Sequence, residues 1–257
     1  MREQRLKQII DYLEEEDACH LDTLCEKFNV SKVTIRRDVD TLSKMGKITK
    51  IYGGIKLVGE QPPMSSFHQR DERNAKEKDK IGRLCAALVE DGDTIFIDAG
   101  TTAYKTAKYL ENKKVCIVTN NLYVFEVVRE KKHVSVIYLG GEFLAVTNSL
   151  VGDIAVDNLS KLNITKAFIT PASASIEAGY SNMTLTETKI KSLAMKCSME
   201  TILAIDSSKW GRQSAISFAD IGDVDLIVTD KEPPEEYKNY FSKKKIPVKY
   251  EFETVEF

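Results

Sequence analysis

Short polar motifs follow four separate apolar runs in the sequence after residue 75. They are DAGTT (Asp98–Thr102), TNN (Thr119–Asn121), GG (Gly140–Gly141) and DSSK (Asp206–Lys209). Free backbone amides before a helix attract anions, hydroxyl and amide groups bind polyols, and a lysine supplies positive charge. A single motif of this kind is more often ordinary turn chemistry. Four of them at strand ends predict a site for a phosphorylated sugar.

The apolar runs that carry these motifs alternate with helical patterns from residue 75 onward. The strand-like runs are TIFIDAG, VCIVTN, VSVIYLGG, KAFITP, TILAIDSSK and DLIVTD, with helical stretches such as TETKIKSLAMKC between them. Repeated alternation of this kind predicts a mostly parallel α/β sheet with helices on both faces. Ligands of such sheets bind beyond the carboxyl ends of the strands, where the polar motifs are expected to meet.

A second candidate site lies near the N-terminus, in a locally basic stretch. Residues 27–58 carry eight basic and two acidic side chains, a net charge of +6, whereas residues 1–26 carry three basic and eight acidic ones. Apolar stripes predict three helices before residue 46, and KITKIYGGIKL then predicts a hairpin that turns at Gly53–Gly54. This order is typical of a winged helix-turn-helix, whose third helix enters the major groove of DNA.

The third helix separates a core face from an outward face. At about 100° per residue, the core face carries Ile35, Val39 and Leu42, and the opposite face carries Val33, Thr34, Arg37, Thr41 and Lys44. Arg37 is therefore expected to read DNA. Ser31 is the predicted N-cap of this helix, and it lies with Lys32 and Thr34 at the helix start, where contacts to phosphates or bases arise. Arg36 lies at the flank, where an ion pair with Asp40 competes with a phosphate contact.

Length and composition limit the remaining classes of protein. A chain of 257 residues with 30% charged side chains predicts two unequal domains, at 1–58 and 75–257, joined by a polar, proline-containing linker at 59–74. Five scattered cysteines without a CxxC motif predict neither a disulfide framework nor a metal site. The sequence has no apolar run of about 18 residues, and its amphipathic start is unlike a signal peptide, so we expect a cytoplasmic protein without membrane contact.

The chain resembles the DeoR family of bacterial transcriptional regulators over essentially its full length. The resemblance is carried by RLKQIIDYL and VSKVTIRRDVDTLSKMGKITKIYGGI in the first domain and by IFIDAGTT, IVTNN, YLGGEF, SLVGDIAV, AIDSSKWG and LIVTD in the second. It implies a winged helix-turn-helix on double-stranded operator DNA, followed by a sensor domain similar in fold to ribose phosphate isomerase and glucosamine phosphate deaminase. It further implies a repressor of a sugar or carbohydrate operon that is controlled by a phosphorylated sugar and works as a homo-oligomer, a dimer or a tetramer.

The family pattern also assigns roles to residues of this chain. It implies DNA contacts from Ser31, Thr34, Arg36 and Arg37 in the recognition helix and from Tyr52, Gly53 and Gly54 in the wing. It implies effector contacts from Lys78, Gly100, Thr101, Thr102, Thr119, Asn120, Gly140, Gly141 and Lys209. Asp98, by its position after the first strand, is a hydroxyl acceptor for the ligand or an anchor of its loop. The chain departs from the pattern at Pro171 and Ala172, where the family has a more glycine-rich loop.

An enzyme is the alternative interpretation, because the sensor fold is shared with catalysts. A phosphosugar isomerase or deaminase with an accessory nucleic-acid-binding domain would need a carboxylate base beside the bound sugar. Asp98, Glu142, Asp153 and Asp206 are available by position, but none stands in a recognisable paired motif. Catalysis also gives no reason for the DNA-binding half. We therefore predict a regulator without catalytic residues, cofactor or metal.

Overall fold

The computed structural model describes residues 2–16, 18–45, 47–51, 54–57 and 66–251. The chain divides into two compact units, Met1–Met64 and Ser65–Phe257. The elements of the first unit are α1 (Arg2–Glu16), β1 (Ala18–His20), α2 (Leu21–Phe28), α3 (Lys32–Lys44), β2 (Ile48–Ile51) and β3 (Gly54–Leu57).

The apolar stripes of the three helices form the core of the first unit, as the sequence predicts. Its buried members are Ile9, Leu13, Leu24, Ile35, Val39, Leu42, Ile48 and Ile55. Ser31 is the N-cap of α3, and its Oγ accepts a hydrogen bond from the Thr34 amide at 3.3 Å. The predicted hairpin is present as β2 and β3, which pair antiparallel from Ile48 opposite Leu57 to Ile51 opposite Gly54. The winged helix-turn-helix is thereby confirmed.

One strand of this unit has no counterpart in the prediction. β1 pairs antiparallel with β3, so the wing hairpin is part of a three-stranded sheet in the order β1-β3-β2. The pairing brings the two backbones so close at Gly54 that a Cβ there would lie 2.3 Å from the carbonyl oxygen of Cys19. Gly54 is therefore required by the contact between β1 and β3, besides its place after the wing turn.

The second unit has more elements. In chain order they are α4 (Phe67–Glu72), α5 (Ala75–Ala87), β4 (Thr94–Ile97), α6 (Lys105–Lys108), β5 (Val115–Thr119), α7 (Tyr123–Val128), β6 (Val134–Tyr138), β7 (Glu142–Leu144), β8 (Ser149–Val151), α8 (Asp153–Leu159), β9 (Ile164–Ile169), β10 (Ser173–Ser175), β11 (Gly179–Asn182), α9 (Leu185–Cys197), β12 (Ser198–Ile205), β13 (Ile216–Ala219), β14 (Leu226–Thr229), α10 (Glu235–Lys244) and β15 (Val248–Lys249).

A seven-stranded sheet organises this unit, in the order β15-β14-β12-β9-β4-β5-β6. All of its pairings are parallel, which confirms the predicted α/β class. The chain enters at β4, proceeds through β5 to β6, and then returns to β9 on the other side of β4. The strand order therefore reverses between β4 and β9, and such a switch point opens a crevice at the carboxyl ends of the strands.

The predicted linker differs from the structure. Within its range of 59–74, residues 67–72 form α4, with the Ser66 and Gln69 side chains making a capping box at its start. Phe67 is buried in the core of the second unit and stacks on Tyr123 at a centroid distance of 4.2 Å. Because Phe67 packs in this core, the second unit begins before residue 75. The polar composition of the segment around Phe67 led to the prediction of a linker.

Gly54→Ala tests the close contact in the first unit. The new methyl group would force β1 away from β3, and overpacking of this kind costs about 1 to 3 kcal/mol. We expect amide hydrogen exchange in β1 and β3 to accelerate roughly tenfold, measured by mass spectrometry on the full chain. Gly222→Ala is the matched control, because its Cβ would lie 3.3 Å from the Tyr240 hydroxyl, the end of a side chain that can move. Unchanged exchange in Gly54→Ala would contradict this account.

Candidate functional site

The outward face of α3 presents two arginines side by side. Among the described residues neither Arg36 nor Arg37 has an ion-pair partner, and both are exposed. The pairing of Arg36 with Asp40 that the sequence allowed is wrong, because the Asp40 carboxylate binds Lys50 of β2 at 2.5 Å. Val33 is 59% exposed on the same helix. Both guanidinium groups are thus free to meet DNA.

Other predicted DNA contacts are committed in part to the protein. The Lys32 ammonium lies 2.5 Å from Asp22 of α2, and the Ser31 and Thr34 hydroxyls share a hydrogen bond at 3.0 Å. Thr41, predicted on the outward face, instead accepts a hydrogen bond from Arg2 of α1 at 2.7 Å. Tyr52 and Gly53 lie outside the described residues.

In the second unit, a buried ion pair at the switch point joins the residues that follow β4 and β9 to α9. Asp98, directly after β4, is 2% exposed and accepts hydrogen bonds from the Thr170 amide, at 3.1 Å, and from the Lys191 ammonium. Lys191 belongs to α9 and also donates to the Thr170 carbonyl, which follows β9, at 2.8 Å. Asp98 is therefore an anchor of its loop, one of the two roles that the sequence allowed.

A second charged group lies where β12 ends. Lys209 donates to the Pro171 carbonyl at 2.8 Å, and its ammonium lies 3.6 Å from Asp206. Burial alone would raise the pKa of Asp206, yet Lys209 and the Ser208 hydroxyl hold it below its ordinary value. Burial lowers the pKa of Lys209, and the neighbouring charges of Lys191 and Arg70 act in the same direction.

Lys78 of α5 is a third charged residue of this region, and the charges of Lys209 and Asp206 act on it. It is 4% exposed and donates to the carbonyls of Arg70 and Arg73, the latter at 2.6 Å, at the end of α4. Burial, together with the charge of Lys209, lowers the pKa of Lys78 to about 8. Carbonyl oxygens accept hydrogen bonds from its ammonium group but carry no net negative charge. Lys78 is therefore a poorly compensated buried cation.

The cations and carboxylates of the switch point influence one another. We call the set the cation cluster: four cations and three carboxylates from α4, α5, α9 and the strand ends, namely Arg70, Lys78, Lys191, Lys209, Asp98, Glu187 and Asp206. Burial lowers the pKa of Arg70, against the effect of Glu187 and Asp98. Asp71 also acts on Lys78 but is paired with Lys105, whose ammonium lies 2.7 Å away, so it adds no net charge. With all groups ionised the cluster has one positive charge in excess, and an anion would compensate it.

In the loops that follow β4 and β5, two polar atoms are buried without a hydrogen-bond partner among the described residues. They are the Oγ1 of Thr102 and the Oδ1 of Asn120, whose residues are 0% and 2% exposed. The Asn120 amide nitrogen already donates to the Leu150 carbonyl at 3.1 Å. Buried polar atoms are rarely left unpaired, so these two are candidates to bind a ligand hydroxyl.

The remaining predicted residues shape the crevice. Gly100 packs so tightly that a Cβ would lie 2.5 Å from the Cβ of Thr170, and Thr101 beside it is buried. Gly140 and Gly141 have positive φ values of 72° and 108°, which favour glycine. The Thr119 hydroxyl donates to the Ile97 carbonyl at 2.6 Å and accepts from the Asn121 amide at 3.0 Å, so it joins β4 to β5.

Sequence reasoning missed three members of the cation cluster. Glu187 and Lys191 are four residues apart on α9, and their buried charges share a helix face with Ile190 and Ala194. That spacing of charges on an apolar face was a usable signal. Arg70 gave none, because it stands in the polar segment that was predicted as a linker.

Two further kinds of feature, a membrane-spanning helix and a metal-binding cluster, are absent from the described residues. None of the helices there is long and apolar enough to span a bilayer. The same part of the chain contains no group of three or more histidine, cysteine, aspartate or glutamate side chains arranged to hold a metal ion.

Comparison with solved structures gives distant similarities only. Ribose 5-phosphate isomerase A from Methanocaldococcus jannaschii is 15% identical, covering 53% of this chain and 55% of that one, with a TM-score of 0.39. The delta subunit of eIF2B from Chaetomium thermophilum is 17% identical, covering 60% of this chain and 59% of that one, with a TM-score of 0.40.

Comparison of sequences identifies the family. The DeoR-like helix-turn-helix domain matches residues 5–61, and the DeoR C terminal sensor domain matches residues 73–231. The HTH-type transcriptional regulator IolR of Bacillus subtilis (strain 168) is 32% identical over 96% of this chain and 99% of its own length. The lactose phosphotransferase system repressor of Lactococcus lactis subsp. lactis is 30% identical over 94% of this chain and 96% of its own.

These relatives carry the names of regulators, which confirms the prediction of a regulator and not an isomerase or deaminase. The chain belongs to the DeoR family and is a DNA-binding transcriptional regulator with an N-terminal helix-turn-helix and a C-terminal sensor domain.

Proposed function

We propose that this regulator represses a sugar-metabolism operon and that a phosphorylated sugar, bound at the switch point of the second unit, controls it. The observation that carries the proposal is the cation cluster, whose four cations, two of them buried and two half-buried, outnumber its three buried carboxylates. Two relatives support the sugar context by name: the lactose phosphotransferase system repressor and the HTH-type transcriptional repressor GlcR of Bacillus subtilis (strain 168), the latter 30% identical over 90% of both chains.

The cluster supports a division of labour between phosphate and sugar. Lys78, Lys209 and Arg70 offer a phosphate charge and hydrogen-bond donors from three separate segments. Thr102 and Asn120 offer a hydroxyl and an amide oxygen to the polyol, and the amides after Gly100 offer backbone donors. A charged phosphate and a neutral polyol on one ligand would satisfy both groups at once.

Control of DNA binding requires two states that differ in effector affinity. We propose that the effector binds the DNA-competent and the incompetent state unequally and so shifts the population between them. We also propose that the chain acts as a homo-oligomer, a dimer or a tetramer, because two recognition helices about one DNA turn apart read an operator repeat.

Lys209→Met tests the effector site. Removal of this cation should lower the affinity for the effector at least tenfold, about 1.4 kcal/mol, because a charge-assisted contact is lost. Calorimetric titration with a panel of sugar phosphates measures the affinity, and gel shifts measure release from DNA. Operator binding without effector should remain intact.

Lys189→Met is the matched control for this variant. Lys189 lies on the same helix as Lys191, but its side chain is 65% exposed. It should leave both titrations unchanged. A Lys209→Met protein that still responds at the wild-type effector concentration would place the effector elsewhere.

The pKa of Lys78 predicts a pH dependence of effector binding. With a pKa of about 8, the ammonium is mostly charged at pH 7 and mostly neutral at pH 9. A sugar phosphate is already dianionic above pH 7, since its second pKa is about 6. Effector affinity should therefore fall roughly tenfold from pH 7 to pH 9, measured by calorimetry. Lys78→Arg keeps its charge over this range, so the effector affinity of this variant should change little between pH 7 and pH 9. A wild-type affinity that does not change with pH would contradict the role of Lys78 in effector binding.

Arg37→Ala tests the outward face of α3. Loss of a guanine contact should weaken operator binding by about 1 to 3 kcal/mol and relax specificity at one base pair, whereas loss of a phosphate contact should weaken all sequences equally. The measurement is a fluorescence titration against duplexes that differ at single positions. Arg129→Ala, an exposed arginine beside α7, is the control. Equal affinities of Arg37→Ala and wild type would assign Arg37 to a merely solvated surface.

A further inference from the structure

A buried carboxylate joins the recognition helix to the first helix. Asp38 of α3 is 1% exposed, although it belongs to a small, highly charged unit. Its Oδ2 accepts a hydrogen bond from the Nε of Arg5 at 2.7 Å, and its Oδ1 accepts one from the Nε of Arg2 at 3.2 Å. Both arginines belong to α1, so each carboxylate oxygen is bound from the neighbouring helix.

Arg2 also reaches a second turn of α3. The Nη2 of Arg2 donates to the Thr41 hydroxyl at 2.7 Å, and that hydroxyl donates to the carbonyl of Arg37 at 2.8 Å. Asp38 and Thr41 are about 60° apart around the helix axis. Two contacts at different azimuths and different heights restrain rotation of α3 as well as sliding.

The apolar seam between these helices cannot supply that restraint. Ile35, Val39 and Leu42 pack by contact area, which is non-directional and tolerates small rotations. Hydrogen bonds from two guanidinium groups to one carboxylate are directional. Burial of such ionic groups is a poor route to stability, since an apolar residue of similar size is often as stable, but it can specify a unique geometry.

We propose that Asp38 is a positioning residue for DNA readout. Arg2, Asp38, Thr41 and Arg5 form a clamp that sets the rotation of α3 about its own axis, and thereby the direction in which Arg36 and Arg37 leave the helix. A cation in a DNA-binding unit would ordinarily be expected to contact phosphate. Arg5 instead acts through Asp38.

The test compares three variants of the full-length protein. Asp38→Leu replaces the carboxylate by an apolar side chain of similar size. Arg5→Lys keeps the charge but lacks the planar guanidinium. Asp40→Asn is the control, because its carboxylate is on the same helix but pairs with Lys50 at the surface, where both side chains are 54% exposed. Thermal unfolding is recorded for each variant.

The readout is specificity, which a merely structural role would not change. The probes are the tightest duplex selected by the wild-type protein from a random-sequence library and a scrambled duplex of the same length. We expect Asp38→Leu to lose at least tenfold in the ratio of the two affinities, with scrambled-duplex binding and its salt dependence unchanged. Asp40→Asn should stay within threefold of wild type.

Two results would overturn the proposal. If folded Asp38→Leu keeps the wild-type ratio, the clamp only holds the unit together. If Arg5→Lys weakens both duplexes equally, Arg5 acts on phosphates and not through Asp38. Should Asp38→Leu fail to fold, Arg5→Lys decides alone: a ratio at least threefold lower supports the clamp, and an unchanged ratio refutes it.

Discussion

The ion pair between Asp98 and Lys191 holds together the three elements that meet at the switch point. It ties the end of β4 to the end of β9 and to α9, in a place where the strand order reverses. Two opposite charges in a buried site are stabilising only when their geometry is good and their other hydrogen bonds are made. The Thr170 amide and carbonyl meet that condition, so the loops around the effector site are held in a defined arrangement.

That arrangement leaves a cationic excess by construction. Lys191 is neutralised by Asp98, and Lys209 is partly neutralised by Asp206. Among the described residues the hydrogen bonds of the Lys78 ammonium go to the carbonyls of Arg70 and Arg73, and Asp206 and Asp71 act on it through their charge alone. Buried cations with incomplete compensation are costly, and the lowered pKa of Lys78 records that cost. This incomplete compensation is the physical reason for the proposal that the site binds an anion.

The two units share a principle although they do different work. In each, a buried aspartate receives donors from a neighbouring element: Asp38 from the arginines of α1, and Asp98 from Lys191 of α9. Each aspartate is bonded to groups of the protein itself, and other residues are assigned to the ligand. The apolar cores supply most of the stability, since they contain most of the buried area. The buried ion pairs supply direction, which area alone does not.

The sequence predicted the two units, the alternation of strands and helices in the second one, the outward face of α3 and the strand-end motifs. These depend on local patterns: apolar periodicity, a serine N-cap and glycine turns, all readable over a few residues. It did not determine which charges pair. Asp40 binds Lys50 and not Arg36, Thr119 is used between strands, and α4 lies within the expected linker. Only the tertiary structure decided these, because ion pairs such as Asp98 with Lys191 join residues far apart in the chain.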